Sequence, residues 1–121
     1  MLVLVSQESC SYCERIKHEV IKPLIRSGQY ANRLLIRELP IDGGAESIDF
    51  NGAARENREI AFSRYRAGLT PTLLFLAPDG EPLVPKIVGF QTPDMYYYYV
   101  EQAIELAYEK LQRKNPMKGA N

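Results

Sequence analysis

The sequence of 121 residues contains no tryptophan, only two cysteines and a single histidine. One cysteine pair cannot form the framework of several disulfides on which small secreted scaffolds depend. Its 15 basic and 15 acidic residues balance, so the charge gives no indication of binding to nucleic acid or to an anionic membrane surface. No apolar run approaches the roughly 20 residues of a membrane-spanning helix. The length is sufficient for one compact domain.

Alternation of apolar stretches with turn residues predicts a chain of four strands and three helices. The predicted strands are residues 2–5, 34–41, 72–77 and 83–88, and the predicted helices are residues 14–26, 55–66 and 93–111. Residues 42–54 are expected to form a loop. The order β-α-β-α-β-β-α implies a parallel first strand pair followed by an antiparallel hairpin. We therefore predict an α/β fold with a mixed four-stranded sheet flanked by helices.

Each predicted helix has an apolar face at the three- or four-residue spacing of an amphipathic helix. Pro23 lacks the N–H that a helix interior needs, so a kink or break is expected between Glu19 and Lys22, and Gly28 is expected to end the helix. Thr92 is expected to cap the last helix. We expect the domain to span residues 1–113 and residues 114–121 to form a frayed tail. The three predicted faces are Cys13, Ile16, Val20 and Leu24; Arg58, Ala61, Phe62 and Tyr65; and Tyr96, Val100, Ala103, Ile104, Ala107 and Leu111.

Both cysteines occur in one short motif, Cys10-Ser11-Tyr12-Cys13, between the first predicted strand and the first predicted helix. In that context a Cys-x-x-Cys spacing indicates redox chemistry. Unpaired N–H groups and the helix dipole would favour the thiolate form of the first cysteine. Structural thiols and metal ligands are the alternatives, but a tetrahedral zinc site needs four ligands and no second cysteine pair exists. His18 is interpreted as a surface residue.

Further motifs give the sequence a resemblance to the thioredoxin superfamily. Thr70-Pro71-Thr72 stands before the third predicted strand, Phe75 lies within it, Pro78-Asp79-Gly80 forms the hairpin turn, and Gly89 follows the last strand. The resemblance extends from Leu2 to Leu111. Within the superfamily, the sequence is similar to the thioredoxin-related proteins of the bacterial envelope, of the SoxW type. The resemblance implies a thioredoxin-like fold and a cis peptide bond between Thr70 and Pro71, facing the cysteine pair.

Three features of the sequence depart from thioredoxin itself. Ser9 replaces the tryptophan before the first cysteine, and Ser11-Tyr12 replaces the Gly-Pro dipeptide between the cysteines. The segment Leu2–Val5 contains no carboxylate, whereas thioredoxin has a buried acid in that strand. These departures weigh against a general cytosolic thioredoxin and leave the disulfide chemistry intact.

The resemblance implies a thiol–disulfide oxidoreductase that exchanges electrons with protein disulfides. Cys10 would be the attacking thiolate, and Cys13 would resolve the mixed disulfide. No metal or organic cofactor is implied, because the electrons reside in the cysteine pair. The groove for an extended substrate segment would be shaped by Tyr12, Thr70, Pro71 and Phe90.

Two other functions are compatible with these residues. One is a non-catalytic binding module of thioredoxin fold, and the other is a glutaredoxin-like enzyme, although the expected Gly-Gly glutathione clamp is absent. The expected partners are protein thiols or disulfides and an unidentified redox donor or acceptor, with no nucleic acid, and we expect a monomer. Because Met1 leads directly into a strand, we expect that a targeting segment preceded it. That expectation favours a periplasmic or envelope-exposed protein, with the cytoplasm as second choice.

Overall fold

The computed structural model describes residues 1–90 and 93–114, without the side chains of residues 93 and 94. We label its helical segments α or, where the helix widens to five-residue hydrogen bonding, π. In chain order the elements are β1 (Leu2–Ser6), α1 (Ser11–Ile16), π1 (Lys17–Ile21), α2 (Lys22–Ser27), β2 (Ile36–Pro40), β3 (Glu46–Ile48), β4 (Ala54–Glu56), α3 (Asn57–Glu59), π2 (Ile60–Arg64), β5 (Thr72–Phe75), β6 (Ile87–Val88) and α4 (Pro93–Lys114).

The main sheet has four strands in the spatial order β2–β1–β5–β6. Strand β1 runs parallel to β2, with Leu2 opposite Ile36, and antiparallel to β5, with Val5 opposite Thr72. Strand β6 is antiparallel to β5. Every residue of β1 and β5 is buried, as expected for strands that are covered on both faces. The prediction of a mixed four-stranded sheet flanked by helices is confirmed.

The two faces of this sheet carry different helices. Leu2 and Leu4 of β1 pack in a cluster with residues of α1, π1, α2 and α4. Val3 and Val5, which alternate with them along the strand, pack in a second cluster with residues of π2. This alternation follows from the two-residue period of a strand, and it assigns the helix that begins at the cysteine motif to the Leu2–Leu4 face.

The first helix keeps its predicted face but widens before its proline. Four of its residues are at most 2% exposed, namely Cys13, Ile16, Val20 and Leu24. The N–H of Lys22 donates to the carbonyl of Lys17, five residues earlier. Pro23 has no N–H for the next helical bond. The widened turn π1 overlaps the segment that was predicted to kink or break, and the helical backbone continues through it into α2. Gly28 ends the helix in the left-handed conformation, as predicted.

The prediction of a loop over residues 42–54 is wrong in part. Strands β3 and β4 form an antiparallel hairpin there, with Glu46 opposite Glu56. The carboxylate of Asp49, 7% exposed, binds Arg55 at 3.3 Å and Arg64 at 2.9 Å. This ion-pair cluster joins the hairpin to the following helix and stabilises a strand pair with little apolar content.

The predicted second helix is correspondingly shorter. Arg55 belongs to β4, so helical structure starts at Asn57 and ends at Arg64, against the prediction of residues 55–66. Ala61 and Tyr65 of the predicted face are buried, whereas Phe62 is 42% exposed. The hydroxyl of Tyr65 donates to the carbonyl of Gly80 at 2.7 Å, which fixes the end of this helix to the hairpin turn.

The last predicted strand is also shorter than expected. Only Ile87–Val88 pairs regularly with β5, against the predicted residues 83–88. Before it, the N–H of Leu83 donates to the carbonyl of Phe75, and Leu76 and Pro82 form an isolated bridge. Pro85 has no N–H to donate, so the regular ladder is interrupted between these contacts and β6.

Helix α4 buries the predicted face against the sheet. Within it, Tyr96, Val100, Ile104 and Ala107 are buried. Of the four consecutive tyrosines, Tyr96 packs in the core while Tyr98 and Tyr99 are exposed. The predicted cap Thr92 and residues 115–121 of the predicted tail lie outside the described residues. Among the described helices, none combines the length and apolar content that crossing a membrane requires.

Candidate redox site

Three chain segments meet at one end of the main sheet. The cysteine motif follows β1 after three residues, Thr70–Pro71 immediately precedes β5, and Phe90 follows β6 after one residue. Because Val5 lies opposite Thr72 and Thr72 lies opposite Val88, the end of β1, the start of β5 and the end of β6 are neighbours. The topology therefore brings the predicted site residues from separate parts of the chain to the same end of the sheet.

The two cysteines form a disulfide at the N-terminus of α1. Their Cα atoms are 5.2 Å apart, within the usual range for a disulfide. Cys10 is the N-cap residue, and its sulfur accepts the N–H of Cys13 at 3.1 Å. Cys13 is fully buried, whereas Cys10 is half-buried. The pair thus has one sulfur-bearing residue within reach of solvent and one inside the protein.

The proline loop is fixed by its own hydrogen bonds. The Thr70–Pro71 peptide bond is cis, the isomer that the resemblance implies. The carbonyl of Pro71 accepts the N–H of Gly89 at 2.8 Å, and the hydroxyl of Thr72 donates to the carbonyl of Leu69 at 2.6 Å. Pro71 is buried and Thr70 is half-buried, while the side chain of Leu69 is exposed.

Tyr12 and Phe90 have different surroundings. Tyr12, between the cysteines, is 53% exposed. Phe90 is half-buried, with its ring centroid 4.9 Å from that of Tyr96 and the guanidinium carbon of Arg15 at 5.0 Å from its ring centroid. Phe90 therefore contacts residues of both α1 and α4. Its chain neighbour Gly89 is hydrogen-bonded to Pro71.

Comparison with known proteins identifies the family. The family model described as "Thioredoxin-like domain" matches residues 1–104, which is most of the chain. The protein belongs to the thioredoxin-like domain family. Among curated proteins, no sequence matches significantly.

Solved structures agree with the fold of this thioredoxin-like domain. A thioredoxin-fold protein from Helicobacter pylori superposes with a TM-score of 0.66 and 22% identity, over 94% of this chain and 78% of the other. The periplasmic thioredoxin SoxS from Paracoccus pantotrophus, in its reduced form, gives a TM-score of 0.56 and 18% identity, over 88% of this chain and 96% of the other. These likenesses confirm the predicted thioredoxin-like fold; the SoxW subgroup stays a prediction.

Close to the cysteines of this thioredoxin-like domain lies a polar cluster that the sequence analysis missed. The hydroxyl of Ser6 donates to Glu38 Oε2 at 2.5 Å, and Nζ of Lys17 lies 2.8 Å from the same oxygen. Burial raises the pKa of Glu38, but the hydrogen bonds from Lys17 and Ser6 outweigh it and leave that pKa below its usual value. The bond to Glu38 raises the pKa of Lys17. Only the register of β1 on β2 could have indicated this contact.

Other ionisable residues near the motif are on the surface. Glu8 and Glu14, which flank the cysteines, are exposed. His18 is exposed as predicted, with Nδ1 3.3 Å from Nζ of Lys22. Across residues 1–90 and 93–114, no three histidine, cysteine, aspartate or glutamate side chains are grouped so that they could hold a metal ion.

Proposed function

We propose that this domain catalyses thiol–disulfide exchange with protein disulfides through Cys10 and Cys13. The observation that carries the proposal is the asymmetry of the pair. Cys10 caps a helix within reach of solvent, and Cys13 lies behind it, fully buried. A nucleophilic thiolate must be accessible and electrostatically stabilised, and both conditions favour Cys10.

The exchange proceeds in two displacements. The Cys10 thiolate attacks one sulfur of a substrate disulfide, forms a mixed disulfide, and releases the other substrate sulfur as a thiolate that takes a proton from solvent. Cys13, after losing its proton, then attacks the Cys10 sulfur, restores the Cys10–Cys13 disulfide, and releases the second substrate thiol. Two electrons pass from the cysteine pair to the substrate, and the reverse sequence would oxidise a substrate dithiol.

We assign substrate positioning to four residues around the cysteine pair, namely Tyr12, Thr70, Pro71 and Phe90. Tyr12, between the two cysteines in the sequence, has an exposed side chain. Thr70 and Pro71 lie at the same end of the sheet as the cysteine pair, and the residue before them, Leu69, is exposed. The half-buried Phe90 borders that end from the side of β6. We infer that an extended protein segment docks across these residues, so that its disulfide meets Cys10.

Insulin reduction with dithiothreitol as electron source tests the proposal. We expect the wild-type protein to accelerate precipitation of the insulin B chain and Cys10→Ser to abolish the acceleration. An inactive wild type, together with a Cys10→Ser variant that retains binding to a captured partner, would instead favour a binding module without catalysis. Rapid turnover of glutathione mixed disulfides without insulin reduction would favour a glutaredoxin-like enzyme.

We further propose a monomer in the periplasm or exposed at the envelope. The support for location is the likeness to a solved structure described as a periplasmic thioredoxin. Fractionation of cells that express the natural gene with a C-terminal tag tests the location, and recovery of the protein with cytosolic markers would contradict it. Light scattering of the purified domain tests the monomer.

A further inference from the structure

The polar cluster of Ser6, Lys17 and Glu38 joins α1 and π1 to the sheet on the side of β2. Ser6 is 1% exposed, and within the described residues its hydroxyl donates to Glu38 alone. The Lys17 and Glu38 side chains are 29% and 42% exposed. The ion pair is therefore partly shielded from solvent. Charges in such a place are screened less than charges on a fully exposed surface, so they act over a longer range.

This cluster lies beside Cys13. The N–H of Lys17 donates to the carbonyl of Cys13, so the two residues are one helical turn apart, and side chains at that spacing are neighbours. Ser6 shares its face of β1 with Leu4, which packs against the helix that contains Cys13. Glu38 lies opposite Leu4 in the sheet. Two opposite charges thus stand near a buried cysteine.

Other charges around the cysteines lie further out or are already paired. Glu14 is exposed and lies 3.4 Å from Nζ of Lys17. Arg15 pairs with Glu19 at 3.3 Å and covers Phe90 on the opposite side of the helix. After β1, the exposed Glu8 bonds through its N–H to the carboxylate of Asp42. Since β1 itself contains no charged residue, the charges held between helix and sheet on this side are those of the Lys17–Glu38 pair.

We propose that Lys17 and Glu38 act on the reduction potential of the cysteine pair in opposite directions, with Lys17 stabilising the reduced form and Glu38 opposing it. This inference rests on the proposed redox function. Reduction breaks the Cys10–Cys13 bond and adds two electrons, which leaves thiolates or, after uptake of up to two protons, thiols. A positive charge one turn from Cys13 favours thiolate in the reduced pair, and a negative charge disfavours it. With the charges bonded to each other, their effects largely cancel.

Removing one charge at a time should therefore shift the potential in opposite directions. Equilibration with glutathione measures it, because protein disulfide plus two glutathione molecules gives protein dithiol plus one glutathione disulfide. We expect Lys17→Met to lower the equilibrium constant of this reaction by about three- to tenfold and Glu38→Gln to raise it by a similar factor, for charges roughly one helical turn from the sulfur. A tenfold change corresponds to about 30 mV. The double variant should lie between the two.

Control variants separate this electrostatic role from a structural one. Lys17→Arg keeps the charge and should stay within about twofold of wild type, whereas loss of packing alone would move both single variants in one direction. Arg113→Met and Glu109→Gln remove the charges of an ion pair at the far end of α4 and should leave the equilibrium constant unchanged. Circular dichroism melts identify any variant that fails to fold, and for a failing Lys17→Met variant Lys17→Gln takes its place.

The outcomes are decisive in either direction. Opposite shifts of the two single variants, with unchanged controls, support the inference. Shifts of the same sign, or none beyond those of the controls, overturn it. The equilibrium measurement needs only a redox-active pair, so a wild type that equilibrates with glutathione but does not reduce insulin contradicts the proposed function and still allows this test.

Discussion

Replacing the buried Cys13 should trap the domain on its substrate. In the wild-type protein, the mixed disulfide on Cys10 has a second sulfur within bonding reach, as the Cys10–Cys13 disulfide itself demonstrates. Cys13→Ala removes this sulfur and leaves the attacking residue at the helix N-terminus unchanged. The mixed disulfide can then be released only by a thiol from solution.

The size of the effect follows from the geometry. Two reacting groups held on one helix, with Cα atoms 5.2 Å apart, react as if one were present at a very high concentration. Effective molarities of well-oriented groups reach about 10⁵ M or more, so even a far less favourable geometry exceeds a millimolar external thiol by a factor on the order of 10³. The lifetime of the mixed disulfide should lengthen by at least that factor.

Mass spectrometry after acid quenching follows the adduct with time. The substrate is an oxidised peptide with one disulfide, and the comparison is between wild type, Cys13→Ala and Cys10→Ala. We expect a persistent adduct in Cys13→Ala that dithiothreitol cleaves, little adduct in wild type and almost none in Cys10→Ala, because the remaining Cys13 is fully buried. Equal trapping by the two variants would refute the assignment of separate roles, and trapping by Cys10→Ala alone would reverse it.

Three further predictions concern reactivity, stability and pH. The alkylation rate of reduced Cys10 should reach half its maximum below pH 8.5, about the value of an unperturbed cysteine, because helix N–H groups stabilise the thiolate; a midpoint at or above that pH would contradict this. Ile16→Ala, at a fully buried position, should lower the free energy of unfolding by about 2–5 kcal/mol in urea titrations, whereas Ile25→Ala, 61% exposed, should change it by less than about 0.5 kcal/mol. Burial raises the pKa of Glu38, but the hydrogen bonds from Lys17 and Ser6 outweigh it and leave that pKa below its usual value, so Glu38 contributes stability that is present above its unfolded pKa and lost as pH falls through the folded pKa. Glu38→Gln should therefore flatten the acid limb of the stability curve, and an unchanged slope would count against the contact.

The elements with strong local patterns were predictable from the sequence. The buried run of β1 and the apolar stripe from Cys13 to Leu24 depend on residue spacing alone, and both are confirmed. Gly28 ended its helix as predicted, because glycine adopts the left-handed conformation without steric cost. The candidate site followed from the same spacing together with the family resemblance, which supplied the Thr70–Pro71 loop.

Features that depend on distant contacts were not predictable. The hairpin of β3 and β4 has few apolar residues, and it is joined to the domain through Asp49, whose partner Arg64 is fifteen residues away in the sequence. The short β6 reflects Pro85, whose effect depends on which backbone groups face β5. The Ser6–Glu38 contact joins residues 32 positions apart, and no local period indicates it.

The central place of β1 has a consequence for biosynthesis. Among the described strands this one leaves the ribosome first, yet its neighbours in the sheet are residues 36–40 and 72–75. Chains are made from the N-terminus onward, and contacts between distant residues must wait for both partners. Until residue 75 has emerged, β1 lacks its neighbour β5 and the sheet beneath the first helix is incomplete. During this time Cys13 is not yet buried by the packing of the folded domain. During that interval the two thiols are equally available to oxidants and to other nascent cysteines, so the difference in reactivity on which the domain depends arises only after β5 has been made.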